Sequence, residues 1–183
     1  NLSGGVITET GTVTANFGSD GPGSFAGNNN FSSTGSKLGG NLTHNGIAVN
    51  VVYNAGTGTY TGTAGGTTVF TMTVNSNGSY EFKLYEQLDH ANGSDPNDII
   101  TLNFGVTATD SDGDSDSTTI VVNVKDDAPV ANDDSRTAEE GQTITGNVTN
   151  NDVPGQDLPA TVTNVRFNGV DHAVPATGTV TVV

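Results

Sequence analysis

From Ile100 to Ala108 every second residue is apolar (Ile100, Leu102, Phe104, Val106, Ala108), and Thr101, Asn103, Gly105 and Thr107 fill the gaps. A period of two sends alternate side chains to opposite faces, which describes a strand with one face buried. The same spacing recurs at Ile47, Val49, Val51 and Tyr53, at Phe70, Met72 and Val74, at Tyr80, Phe82 and Leu84, and at Ile120, Val122 and Val124. A chain written this way must bring its apolar faces together as stacked sheets. Helix formers offer no alternative: there is one Met, while Gly contributes 25 of the 183 residues and Thr and Val are prominent.

Turn chemistry separates these runs. Asn75-Ser76-Asn77-Gly78 reads as a hairpin turn in which Asn-Gly supplies positive φ angles. Upstream, Val6–Glu9 and Thr12–Phe17 are short β-prone pieces. The Gly/Ser/Asn stretch from Gly18 to Gly46, punctuated by Phe25, Phe31 and Leu38, reads as an ordered loop packed on the body. The expected fold is all-β: a Greek-key (Ig/cadherin-like) β-sandwich followed by a second, partial β-sandwich module. The boundary falls at Asp126-Asp127-Ala128-Pro129, giving a first domain over 1–127 and a second, incomplete one over 128–183. In the second, strands are expected at Thr143–Thr145, Ala160–Phe167, Val170–Val174 and Gly178–Val183, with a turn at Asn168-Gly169.

The net charge is −15, with only five basic residues. Phosphate recognition needs Lys and Arg patches, so nucleic acid and anionic membrane surfaces are excluded as partners. No apolar run is long enough to insert into a membrane, and no signal-peptide pattern opens the chain. Starting at Asn1 in mid-pattern, the sequence reads as a piece excised from something longer. Cysteine is absent. Disulfides therefore cannot staple the fold, and metal ions are the other common staple.

Ten of the twenty carboxylates lie between Asp110 and Glu140, with only Lys125 and Arg136 as basic groups among them. Asp110-Ser111-Asp112-Gly113-Asp114-Ser115-Asp116 has the form D-x-D-G-D-x-D between two strands. It is not an EF-hand loop, since position 12 counted from Asp110 is Val121 and the flanks are not helical. Ca²⁺ nevertheless suits it, because calcium takes six to eight oxygen ligands in irregular geometry. Mg²⁺ wants a stricter octahedron, and zinc wants His or Cys. The bland alternative is a solvated acidic hairpin. A strand over Thr118–Val124 would put this turn and Asp126-Asp127 at opposite poles, making two sites of one acidic stretch. Asp126 and Asp127 would then join Asp133, Asp134, Glu139 or Glu140 at the junction with the next module; for the glutamates a solvated turn is an equal reading. A third cluster, Asp89, Asp95 and Asp98 around His90, reads either as a further calcium or ligand site or as a polar Ω-loop whose side chains cap its own turns. Asp89 beside His90 could suggest acid–base chemistry, but no nucleophile or second His is placed near it by any motif, and the chain is not read as an enzyme.

Several of these segments occur in a familiar order. Phe17-Gly18-Ser19-Asp20-Gly21-Pro22-Gly23-Ser24, Tyr60 to Phe70 with Gly62-Thr63-Ala64-Gly65-Gly66, Leu88-Asp89-His90 and Asp110-Ser111-Asp112-Gly113-Asp114 resemble a repeat domain of the type I-secreted bacterial repeats-in-toxin (RTX) adhesins of biofilm formation. The resemblance covers about residues 8–130. Residues 129–183 look like the opening half of another adhesin module, carried by Ala131-Asn132-Asp133-Asp134, Gly146-Asn147-Val148, Asn151-Asp152 and Val174–Gly178. The resemblance implies an extracellular place on the bacterial cell surface, calcium-dependent rigidity, and adjacent adhesin modules of the same chain as neighbours. Some modules of that family extend the adhesin. Others bind a peptide or glycan on a target surface, here through an exposed calcium at Asp89, Asp95 or Asp98 or through loop 18–46. No nonapeptide calcium-roll repeat is present.

Overall fold

The computed structural model describes residues 5–19, 21–36, 40–92, 95, 97–126, 129–137, 139–153 and 161–174. Over these residues the chain is all-β, with antiparallel pairing throughout and no helix. It divides into two compact units, Asn1–Ala128 and Pro129–Val183.

The first unit contains β1 (Ile7–Thr12), β2 (Ser24–Thr34), β3 (Thr43–His44), β4 (Ile47–Ala48), β5 (Asn50–Asn54), β6 (Thr59–Ala64), β7 (Thr67–Val74), β8 (Ser79–Leu84), β9 (Ile99–Thr109) and β10 (Ser115–Lys125). Strands β5 to β8 run up and down beside one another, and β1 closes the edge against β8, giving the order β1-β8-β7-β6-β5. The second sheet is β10-β9-β2. This is the stacked-sheet arrangement of a β-sandwich, and the alternating residues point where their period requires. Phe70, Met72 and Phe82 from the larger sheet and Ile100, Leu102, Phe104 and Val106 from β9 are buried between the layers. Phe104 sits at the centre of that core. Its ring centroid lies 5.2 Å from Phe31, 5.4 Å from Tyr60, 5.8 Å from Phe70 and 6.1 Å from Phe82.

Strand β2 departs from expectation. The stretch read as an ordered loop contains an eleven-residue strand paired with β9. Its Gly, Ser and Asn content hides the strand, and a bulge breaks its period. Between the pairs Gly27↔Val106 and Phe31↔Phe104, four steps on β2 match two on β9, with Asn29 at φ 64°. Phe25 and Phe31 are thereby both delivered to the core. The bulge is tied down by Tyr60, whose hydroxyl donates to Gly105 O at 2.7 Å and accepts from Asn28 N at 3.1 Å, joining the two sheets through one buried group.

Two turns also differ from their sequence reading. At Asn75–Gly78 only Gly78 takes a positive φ (85°). Asn77 instead turns its Oδ1 to accept from Ser79 N at 3.0 Å and Ser79 Oγ at 2.7 Å. The run expected to be continuous from Ile47 to Tyr53 is split, because β3 and β4 form a separate small hairpin at Asn45 (φ 50°) and Gly46 (φ 75°). Thr12–Phe17, read as β-prone, is a strand only at Thr12.

In the second unit the described residues form one hairpin, β11 (Asn164–Phe167) with β12 (Val170–Ala173), turned at Asn168-Gly169 (φ 48° and 77°), and a bridge between Val130 and Val153. Thr143–Thr145, expected as a strand, has no ladder partner among the described residues, and Ile144 is exposed. The expected strand at Gly178–Val183, the residues Ala160 and Pro175–Thr177, and also Leu38, Asp127 and Ala128 lie outside the described residues.

Candidate metal centre

Strands β9 and β10 are in continuous register from Ser115↔Thr109 to Lys125↔Ile99. Eleven residues of antiparallel strand span roughly 34 Å, so the two acidic segments lie at opposite ends of one hairpin.

At the first pole the chain reverses over Asp110–Asp114. Asp110 N donates to Asp114 O at 3.0 Å, and the Asp110 carboxylate Oδ1 accepts from Gly113 N at 3.0 Å and Asp114 N at 2.8 Å. Gly113 takes φ 105°, which an L side chain rarely adopts. This closed loop aims Asp110, Asp112 and Asp114 at one point. One carboxylate oxygen from each lies within 4.8 Å of the others. Calcium binds oxygen at 2.3–2.6 Å, so two oxygens on opposite sides of one ion stand about 4.8 Å apart. The set therefore fits Ca²⁺ in spacing and in donor chemistry: three hard anionic oxygens with no His or Cys. The Asp110 carboxyl is held below the usual carboxylate value, first by a side-chain hydrogen bond with Asp112 and then, against some desolvation, by the amides of Gly113, Asp114 and Asp112. Two carboxyl groups this close share a proton or a cation; otherwise they repel.

Asp116, the fourth carboxylate of the motif, turns elsewhere. It lies on β10 opposite Ala108, and its Oδ1 accepts from Ser117 N at 2.8 Å. Beside the turn runs an open groove of about 510 Å³, lined in part by Val13–Gly18, Phe25, Ala108, Asp110 and Asp114–Thr118. Phe17 and Phe25 meet edge to face within it, with centroids 5.6 Å apart.

At the second pole the acidic residues serve the backbone. Asp89 accepts from Asn45 N at 3.0 Å and Gly46 N at 2.8 Å, one amide per oxygen, and so clamps the β3–β4 turn. Burial opposes its charge. The Thr43 hydroxyl beside it, which does not reach full hydrogen-bond geometry, and the two amides outweigh that burial, and the carboxyl sits below its ordinary value. Asp98 accepts from Asn92 N at 2.8 Å and Ile99 N at 2.9 Å, and these amides hold it low as well. Asp95 accepts from Asn97 N at 2.9 Å. These bonds are those of the self-capping loop. Among the described residues, Asp89, Asp95 and Asp98 do not gather into a three-ligand group. Sequence reasoning missed that Asp126 N donates to Asp98 O at 2.9 Å, which brings Asp126 to this pole. The two alternations Ile100–Ala108 and Ile120–Val124, folded back on each other about the acidic turn, were the signal that could have found it, since they set Ile99 opposite Lys125. His90 is buried, and its backbone bridges to Ser36.

In the second unit Asp133, Asp134 and Glu139 are exposed. Asp133 O accepts from Asn151 Nδ2 at 3.1 Å, and Asp152 Oδ1 accepts from Asn132 N at 2.8 Å. No group of three ligands forms there among the described residues.

A family profile described as "Domain of unknown function (DUF5801)" matches residues 5–125. The chain belongs to this family. The match begins two residues before β1 and ends on the last residue of β10, so a DUF5801 domain takes in both sheets of the first unit and its acidic turn. No curated protein matches the chain, and no solved structure does.

Proposed function

We propose that this chain is a calcium-rigidified module of a bacterial cell-surface RTX adhesin, serving cell adhesion and biofilm formation as an extender unit outside the cell. The observation that carries the reading is the convergence of Asp110, Asp112 and Asp114 at the end of the β9–β10 hairpin. Bound there, Ca²⁺ would offset the repulsion among three carboxylates and fix the loop that joins β9 to β10. A module loaded in this way resists bending at its pole, which is what a tether under load requires. The order of its four motifs, from Phe17-Gly18 to Asp110–Asp114, supports the adhesin assignment.

Titration calorimetry of Ca²⁺ into the chelator-stripped chain tests it. Wild type should bind Ca²⁺, and Asp112→Asn with Asp114→Asn should weaken that binding by about tenfold or more, because affinity follows the ligand charge count. Unchanged affinity in the double variant would remove this site.

A further inference from the structure

The groove beside the acidic turn has an open strand edge as one wall. Strand β10 is the outermost strand of its sheet, with β9 on one side and no strand on the other among the described residues. Ser117 N–H points to that open side, since it donates to its neighbour Asp116 Oδ1 rather than across the ladder. The floor is apolar and aromatic, formed by Phe17 and Phe25 with Val13 and Ala108, while Asp110, Asp114 and Asp116 supply charge along the rim. Among the described residues no Lys, Arg or His lines it, and the whole chain carries −15. An apolar floor, an anionic rim and a free backbone edge together select one kind of occupant.

We propose that this groove docks an extended peptide segment with Lys at alternate positions, which adds to the open edge of β10. Backbone pairing along Ser115–Thr119 would replace the Asp116–Ser117 bond and free the Asp116 carboxylate for an incoming ammonium. The Lys stems would lie over Phe17 and Phe25 with their charged ends at the rim. The field of an acidic protein speeds the encounter with such a segment and repels acidic ones. The proposal does not rest on calcium. One divalent ion among the carboxylates of Asp110, Asp112, Asp114 and Asp116 still leaves the rim negative.

The test uses the full chain and a fluorescein-labelled Thr-Lys-Thr-Lys-Thr-Lys peptide, read by anisotropy and by amide shift mapping. A Thr-Glu-Thr-Glu-Thr-Glu peptide is the control. Each is run with Ca²⁺ and with chelator, while calorimetry reports calcium binding separately in the same samples. The Lys peptide should bind in both conditions, weaken with added salt, and shift the amides of residues 13–18 and 115–119. Asp116→Lys should lower its affinity at least about fivefold through charge reversal. Ser117→Pro, which removes the outward donor on an edge where proline is tolerated, should lower it too. Equal binding of the Glu peptide, shifts elsewhere, or affinity unmoved in both variants would overturn the proposal. So would capture of the Glu peptide alone in the presence of calcium, which would make the ion the ligand. Concentration-dependent self-association that shifts the same groove amides would also overturn it, by assigning the groove to a second copy of the chain.

Discussion

Tyr60 shows how one side chain can hold two layers in register. Its hydroxyl, buried in the core, bonds to Gly105 O of one sheet and Asn28 N at the bulge. Burial pushes the phenol's pKa up, so it stays a donor at any physiological pH. Tyr60→Phe should cost about 1–3 kcal/mol, because it strands the buried Gly105 carbonyl and the half-buried Asn28 amide; urea unfolding would measure it. Gly23 is a second such residue. A Cβ there would collide with Thr109 O, the Phe17 ring and the Asp110 Cα. Gly23→Ala should therefore destabilise the first unit by roughly 1–3 kcal/mol of overpacking and also weaken calcium binding, since the collision falls at the root of the acidic turn. Asp89 adds a pH dependence. Its folded pKa is below its unfolded value of about 3.9, so its contribution is present above that pH and lost as pH falls through the folded pKa. The urea midpoint of wild type should thus drop more between pH 5 and pH 3 than that of Asp89→Asn, which starts lower; equal drops would mean that the β3–β4 clamp does not need the charge.

At the scale of elements, legibility followed period and composition. Strands β7 to β10 were readable because Phe70, Tyr80, Ile100 and Ile120 each begin an unbroken alternation. Strand β2 was not, since its inward positions include Gly27 and Ser33 and its bulge turns Asn29, the position between Gly27 and Phe31 in the alternation, out to solvent. The run after Asn41 gave no sign of breaking into two hairpin elements, for Asn45-Gly46 looks the same whether it ends a loop or turns a hairpin. The acidic turn was legible as a place where carboxylates converge, because Asp110, Asp112 and Asp114 alternate across a Gly turn. The different task of Asp116 was not, because alternation gives it the same parity as Asp110, Asp112 and Asp114, and only the outward Ser117 amide explains where it bonds. The loop at Asp89–Asp98 is also acidic, with three Asp, and its carboxylates cap amides. Asp110 caps amides too, so what separates the clusters is convergence: among the described residues only Asp110, Asp112 and Asp114 bring three carboxylate oxygens within 4.8 Å of one another. Asp98→Asn should accordingly leave calcium affinity within about twofold of wild type while loosening the loop, and amide exchange at Asn92 and Ile99 would report the loosening.

For the whole molecule, an acidic, cysteine-free β-sandwich gains rigidity when a cation is placed where its carboxylates converge. The first unit already has a closed aromatic core around Phe104, so calcium is expected to raise stability rather than to create the fold. At a free calcium concentration about a hundred times the dissociation constant, the gain is about 2.7 kcal/mol, or on the order of 10 °C in Tm for a unit of this size. Calcium's part in stability is tested most directly by the thermal melt of the intact chain with saturating Ca²⁺ and with excess chelator, followed by near-UV signals from the aromatic core. Tm should be higher with Ca²⁺, with most of the increase abolished in Asp112→Asn with Asp114→Asn and retained in Asp98→Asn. A Tm that is the same with calcium and with chelator would contradict it.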